Sequence, residues 1–176
     1  LLPEHYPATE LKISKLQMLR LAAQKPMLKS NILTGLTIRR YESFHSCPSY
    51  AKLTSTEEQT NLQNKGIHIL FKQAEDGSII LGDSHEYVQA NRQADFGFEI
   101  SSEINEMMLQ EAKKIIDLPD WNVDATWAGY YLQGTHTEVY TKQVDDVIHI
   151  INGIGGKGMT TSPGFTSEYI QKLYQK

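Results

Sequence analysis

Apolar and polar residues alternate along the segment LKISKLQMLRLA, which runs from Leu11 to Ala22. In an extended chain, successive side chains point to opposite faces. One face would therefore carry Ile13 and Leu19, and the other Leu16 and Arg20. This period of two predicts a strand with one buried face.

Two further stretches also have the character of strands. The segment ILTGLTIRRYESF, residues 32–44, is rich in β-branched residues and predicts a second strand. Apolar runs at 67–71 and 79–81 flank the sequence AEDG at 74–77. Asp-Gly between two apolar runs predicts a hairpin, because glycine tolerates a positive φ.

The segment SSEINEMMLQEAKKIIDLP, residues 101–119, has the spacing of an amphipathic helix. Ile104 and Met108 lie one turn apart, and Ser101 or Ser102 can cap the first turn. The two methionines at 107 and 108 are interpreted as core residues rather than as a ligand surface.

The rest of the chain completes an α+β pattern. Strands are predicted at 122–131 and 147–151, and a loop or short solvated helix at 55–65. A last helix is predicted over Pro163–Leu173, with Ser162 as its cap and Pro163 at its first position. This order predicts a mostly antiparallel (mixed) sheet with helices packed on one face.

Composition limits the classes of function. The chain has 176 residues, 40% hydrophobic content and a net charge of −4, which fits one globular protein and argues against nucleic acid as a partner. Cys47 is the only cysteine, so an internal disulfide is excluded and a cytoplasmic location is expected. No apolar run approaches the roughly 20 residues of a membrane span. The chain starts LLPEHYPATELK, without a signal-peptide pattern or an initiator methionine, and we expect it to be a fragment.

The segment NGIGGKGMTTSP, residues 152–163, contains G-x-G-x-x-G at Gly153, Gly155 and Gly158. A dinucleotide-binding unit needs a second strand and an acidic residue after the helix, and the sequence supplies neither. The P-loop pattern also fails, because Lys157 is followed by glycine. Two interpretations remain open. The loop either approaches a flat ligand beside a helix N-terminus that stabilises negative charge, or it is a turn that packs the last strand on the last helix.

The tail VIHIINGIGGKGMTTSPGFTSEYI resembles the C-terminal signature of the FAD-dependent oxidoreductases of the D-amino-acid oxidase/sarcosine oxidase superfamily. Other matching segments occur in the family's order over nearly the whole chain: LLPEHY, KLQMLR, GLTIRRYESF, GIHILF, LGDSHEY, EIN and DWNVDATWAGYY. GDSHEY together with the tail is most similar to a bacterial subgroup linked to aminophosphonate breakdown.

The resemblance implies that two parts of the chain have different functions. Residues 1–145 would form a substrate-binding domain, and 146–176 a strand, loop and helix that belong to the FAD domain of the full protein. The N-terminal FAD-binding half would be missing, which would leave the last strand free for self-association. Non-covalent contact with FAD is implied for Gly155, Gly156, Lys157, Gly158, Met159 and Thr160.

Two candidate catalytic residues come from the same resemblance. Tyr131 falls where D-amino-acid oxidases carry an arginine and sarcosine-type enzymes a tyrosine, which favours a secondary amine or a differently charged substrate. His85 falls near the family's active-site histidine, where a neutral imidazole would bind the substrate or favour its free amine. The alternatives are a strand tyrosine packed on Trp127 and a histidine in a turn.

The substrate's anion requires a cation. Thr160 occupies the place of a substrate-binding lysine in sarcosine oxidases and has no charge, so Arg39 or Arg40, next to Tyr41, is expected to supply it. If these residues lie on a strand, at most one arginine faces the site. The alternative is that both are solvated surface arginines.

Other clusters carry less weight. A nucleophilic site at His45 and Cys47 lacks a third partner and an oxyanion motif. The histidines at 5, 68, 136 and 149 have no metal-ligand spacing, so no metal is expected.

The sequence thus predicts the substrate-binding portion of a flavin-dependent enzyme that oxidises a C–N bond of a small amine or amino acid to an imine. The competing hypothesis is a non-catalytic α+β module that binds a ligand or a protein.

Overall fold

The computed structural model describes residues 3–5 and 9–175, and this part of the chain is α+β, as predicted. Its eight strands are β1 (Leu11–Leu21), β2 (Ile32–Leu33), β3 (Leu70–Gln73), β4 (Ile79–Gly82), β5 (Glu86–Gln89), β6 (Val123–Gly134), β7 (Tyr140–Val144) and β8 (Ile148–Asn152). Its four α-helices are α1 (Gly35–Arg39), α2 (Glu57–Asn64), α3 (Ser102–Lys113) and α4 (Gly158–Tyr174).

The strands form two sheets. The larger has the order β2-β3-β4-β1-β5, with β6 also paired to β1, and the smaller is the hairpin β7-β8. The pairs β1·β4, β2·β3 and β3·β4 are antiparallel. No helix among the described residues is both long enough and apolar enough to cross a bilayer.

The chain divides into two compact units that alternate along the sequence. The larger unit comprises residues 15–86 and 98–129. The smaller unit comprises the described residues up to 14, then 87–97 and the chain from 130 onwards.

The core of the larger unit lies between the sheet and α3. Leu19, Phe71 and Leu81 are fully buried on the sheet side, and Met108 is fully buried on the helix side. Burial of each such side chain contributes roughly 1.5–3 kcal/mol. The predicted strand at β1 is confirmed, because its odd-numbered positions from Leu11 to Leu21 are all buried.

Polar contacts fix the start of α3 on β1. The Ser101 side chain caps the helix by accepting from the Ile104 N–H, as predicted. Buried Gln17 of β1 donates to the Ser101 carbonyl at 2.7 Å and accepts from the Ser101 N–H at 2.9 Å. This double contact satisfies the buried amide and sets the position of α3 along the strand.

The predicted hairpin is also confirmed. Strands β3 and β4 pair through Phe71↔Leu81, and Gly77 in the turn has a φ of 85°. The Asp76 carboxylate accepts from the N–H and the hydroxyl of Ser78. The polar segment at 55–65 forms helix α2, with a capping box between Thr56 and Gln59.

The strand predicted within 32–44 is confirmed only at Ile32–Leu33 and is wrong for the residues that follow. Pairing with β3 lasts only through Ile32 and Leu33, after which the chain enters α1 and then a 3₁₀ turn at Glu42–Phe44. The Ile69 carbonyl accepts from the Thr34 N–H and from the Thr37 hydroxyl, which turns the chain away from the sheet edge. These polar contacts outweigh the β-propensity of the segment.

The smaller unit contains the second sheet and α4. β8 pairs with β7, a strand that the sequence pattern did not predict. Their turn carries Asp145 and Asp146 at positive φ, a conformation that Asp tolerates better than most residues. The last strand thus has a partner on one edge within its own unit.

The last helix is present but begins earlier than predicted. It starts at Gly158 rather than Pro163, so Ser162 is not its cap and Pro163 lies inside it. The hydroxyls of Thr160 and Thr161 both donate to the Lys157 carbonyl, at 3.0 and 2.9 Å. The glycine loop therefore leads directly into the first turn of the helix.

Candidate functional site

Two histidines and an aspartate of the larger unit meet where the β3-β4 hairpin ends. His68 lies just before β3, and Asp83 and His85 follow β4. The backbones of His68 and Asp83 exchange hydrogen bonds of 3.0 and 2.8 Å, which extends the pairing of the hairpin. The three residues are only 3%, 6% and 4% exposed, so their polar groups must find partners inside the protein.

Their side chains form a chain of contacts that ends at Arg40. His68 Nδ1 lies 2.9 Å from Asp83 Oδ1, a close contact without hydrogen-bond alignment. His68 Nε2 lies 3.1 Å from His85 Nδ1. His85 Nε2 lies 3.5 Å from an Arg40 terminal nitrogen and 3.8 Å from Asp83 Oδ2.

The partners at the two ends of this chain determine where the imidazole protons lie. Arg40 can only donate, so His85 Nε2 is an acceptor and His85 carries its proton on Nδ1. His85 then donates to His68 Nε2, and His68 carries its proton on Nδ1, facing Asp83. The Asp83 oxygen 2.9 Å from His68 Nδ1 is compatible with a proton on that nitrogen, although the two atoms are not aligned as a hydrogen bond. In this arrangement His85 is neutral.

The electrostatics of His85 agree with a neutral ring. Burial is the main cause that lowers the pKa of His85, to about 3, and the positive charge of Arg40 and the nearby His68 lower it further. The negative charge of Asp83 and the Gly66 backbone act in the opposite direction. At neutral pH the imidazole has a lone pair and no charge.

Glycine is required at position 66 for His85 to adopt its position. Gly66 has a φ of +64°, and a Cβ there would lie 2.2 Å from the His85 carbonyl oxygen. Any other residue would displace the His85 backbone or strain its own.

Arg40 is the cation of this cluster. It follows α1, is half-buried, and donates to the Tyr41 hydroxyl at 3.1 Å, with its guanidinium carbon 4.5 Å from the Tyr41 ring centre. Its Nε is buried without a hydrogen-bond partner, and no ion pair of Arg40 is found in the described part of the chain. Arg39 lies elsewhere, with its side chain donating to Ser55 at 3.1 Å.

The composition of the cluster also suits a metal ion. The ligand atoms of His68, Asp83 and His85 lie within 4.8 Å of one another, and two histidines with one carboxylate are a known metal-binding set. However, the Arg40 guanidinium beside His85 repels a cation, and the facing ring nitrogens contact each other. We therefore interpret the cluster as a hydrogen-bonded network.

The remaining predicted site residues lie in the smaller unit. Tyr131 is a half-buried residue of β6. In the glycine loop, Gly155 has a φ of 66°, and a Cβ on Gly158 would lie 2.8 Å from a methyl group of Ile154. Lys157 forms an ion pair with Glu138 at 3.3 Å. Backbone conformation explains the glycine at 155, and close packing explains the glycine at 158, without a ligand.

The first turn of α4 has backbone N–H groups without acceptors inside the helix, as in any helix. Met159 in this turn is 94% exposed, and the side chain of Thr160 is exposed as well. A 3₁₀ turn at Gly155–Lys157 precedes the helix, and its Gly155 carbonyl accepts from the Gly158 N–H, so the positive end of the helix dipole lies at a glycine-rich surface with its first N–H already bonded.

The candidates named from the sequence include His85 and either Arg39 or Arg40, but not His68. The register of the hairpin did not indicate the pairing of His68 with Asp83. Its β3–β4 pairs include Leu70↔Gly82, so continuing them outward would place His68 opposite Ser84, whereas the structure joins the backbones of His68 and Asp83.

No curated protein matches the chain. The family model described as FAD dependent oxidoreductase (DAO) matches residues 19–172, from near the end of β1 into α4. The match covers both the histidine cluster and the glycine loop. The chain therefore belongs to the DAO family of FAD-dependent oxidoreductases.

Proposed function

We propose that the chain is the substrate-binding portion of an oxidoreductase that converts a C–N bond to an imine, in an amine, amino acid, N-methyl amino acid or aminophosphonate. The complete protein would include a separate FAD-binding half. The observation that carries the proposal is Arg40, a half-buried cation held against His85 and Tyr41 without an acidic partner in the described part of the chain.

Arg40 suits the anionic group of such a substrate. A guanidinium forms paired hydrogen bonds with a carboxylate or a phosphonate, and its buried Nε still lacks a partner. A fixed cation near the substrate also disfavours the ammonium form of the amine, because like charges repel. Arg40 would therefore bind the anion and favour the free amine that the oxidation requires.

His85 would support this site as a neutral group. Its pKa of about 3 leaves the ring uncharged at neutral pH, so it adds no second positive charge. Tyr41 would hold the other side of the guanidinium through its hydroxyl and its ring. We assign Tyr131 a substrate-binding hydroxyl on the resemblance alone.

The C-terminal segment 146–176 would contact the cofactor. FAD, when bound, accepts the hydride equivalent from the substrate. The first turn of α4 suits its ring edge, because the positive end of a helix dipole stabilises a developing negative charge. The residues proposed to make these contacts are Gly155, Gly156, Lys157, Gly158, Met159 and Thr160.

The test uses the complete protein and its visible spectrum. We expect anaerobic addition of an N-methyl amino acid or an aminophosphonate to bleach the flavin absorbance. Arg40→Met should lower kcat/KM on the order of 10- to 100-fold, because a charge-assisted hydrogen bond contributes roughly 1.5–3 kcal/mol. The matched control Arg39→Met should stay close to wild type.

Two further variants test the other assignments. His85→Ala and Tyr131→Phe should lower kcat/KM while the protein retains its flavin. Equal losses from the two arginine variants would contradict the anion site. A colourless complete protein that binds no added FAD would favour the non-catalytic module.

A further inference from the structure

His68 contacts the Nδ1 side of His85, whereas Asp83 contacts His68 through Oδ1 and lies 3.8 Å from His85 Nε2 through Oδ2. Three consecutive contacts, of 2.9, 3.1 and 3.5 Å, link Asp83 to His68, His68 to His85 and His85 to Arg40. Each partner in this series is buried or half-buried, so water does not compete freely for the ring nitrogens.

We propose that Asp83 and His68 are positioning residues that hold His85 with its proton on Nδ1, so that the Nε2 lone pair faces Arg40 and fixes the guanidinium for the substrate's anion. This inference rests on the proposed function in one respect: that function supplies the substrate anion which Arg40 binds. The tautomers are assigned from the contacts of His85 with Arg40 and His68.

The acceptor at His68 determines which nitrogen of His85 carries the proton. Without an acceptor at His68, the proton of His85 is free to move to Nε2 and would then point at the Arg40 guanidinium. Two donors would face each other, and the guanidinium would move away. Burial makes this mismatch costly, because an unpaired buried polar group loses its hydration without compensation.

The variants at position 68 separate positioning from bulk stability. In His68→Gln, the amide oxygen can reach the place of Nε2 and accept from His85. His68→Asn offers its amide near the place of Nδ1, which faces Asp83 and not His85. Both are polar substitutions at one buried position, so a merely structural role would not favour glutamine over asparagine.

The first measurement is the tautomeric state of His85 in protein labelled with ¹⁵N at histidine, by long-range ¹H–¹⁵N correlation at neutral pH. We expect a protonated Nδ1 and an unprotonated Nε2 in both His68 and His85. The His68→Gln variant should retain this state of His85, and His68→Asn should lose it. A protonated Nε2 or an imidazolium at His85 in the wild type would overturn the proposal. This measurement on the wild type does not depend on whether any variant folds.

The second measurement is kinetic. We expect His68→Asn and Asp83→Leu to raise KM on the order of 10- to 100-fold, with kcat changed less, because small displacements of a positioned group have effects of that size. His68→Gln should recover most of the loss. If the wild type shows the expected tautomers but His68→Asn leaves KM unchanged, the positioning role is overturned. If the wild type shows the expected tautomers but the protein oxidises no amine, the proposed function is contradicted and the tautomer assignment is still supported.

Discussion

The buried imidazole of His85 couples the stability of the protein to pH. Burial, Arg40 and His68 lower its pKa to about 3 in the folded chain, against about 6.5 when unfolded. Between these values the unfolded chain binds a proton that the folded chain does not. The free energy of unfolding therefore decreases as the pH falls from about 6.5 towards 3, by up to about 1.4 kcal/mol per pH unit.

Urea unfolding of wild type and His85→Asn between pH 4 and 7 measures this effect. We expect the variant to lose part of the pH slope, because asparagine does not titrate. Ser84→Ala is the control: Ser84 is buried and its hydroxyl accepts from the Gln17 N–H, so its loss should lower stability at every pH and keep the slope. An unchanged slope in His85→Asn would refute the buried neutral histidine.

For individual residues, the sequence identified candidate site residues better than it identified which residues contact each other. His85 and Arg40 were identified as candidates, but which arginine lies beside the histidine depends on α1, which the pattern did not predict. His68 falls inside the apolar run at 67–71, a pattern that predicts a strand but no side-chain partner. Its partnership with His85 requires the hairpin to be folded and Gly66 to allow close backbone approach, which side-chain composition does not encode.

A proline near the start of α4 weakens this helix. Pro163 lies inside the helix and lacks the N–H that would donate to the carbonyl of Met159. Pro163→Ala should restore this hydrogen bond and stabilise the protein, by up to about 3 kcal/mol. Thermal unfolding of the two proteins measures the gain. A loss of stability would instead support a helix that starts at Pro163, where proline is favoured at the first position.

Elements with a strong pattern were predicted correctly, and those decided by local polar contacts were not. β1, α3 and the Asp-Gly hairpin each have a periodic apolar face or a turn that glycine requires. The segment at 32–44 has β-branched residues but is turned by two hydrogen bonds to one carbonyl. β7 has no clear alternation and depends on its pairing with β8.

At the scale of the whole molecule, the two candidate regions lie in different units of the chain. The histidine cluster and Arg40 belong to the larger unit, and the glycine loop and Tyr131 to the smaller. The family match spans both. We propose that 1–145 and 146–176 act as substrate-binding and cofactor-contacting parts, a boundary that remains a prediction from the resemblance.

Cofactor binding by the 176-residue chain tests this assignment. α4 is the last element after the glycine loop, so the described residues contain no glycine loop followed by a helix and a second strand to bind the ADP portion of FAD. We expect this chain to bind FAD and lumiflavin, the ring alone, equally weakly, with Kd values above about 1 mM, or less than about 4 kcal/mol of binding free energy. The quenching of flavin fluorescence measures both affinities, and the complete protein should retain FAD through gel filtration. Tight FAD binding by the 176 residues with weak lumiflavin binding would mean that this chain recognises the ADP portion, and the proposed division of the protein would be wrong.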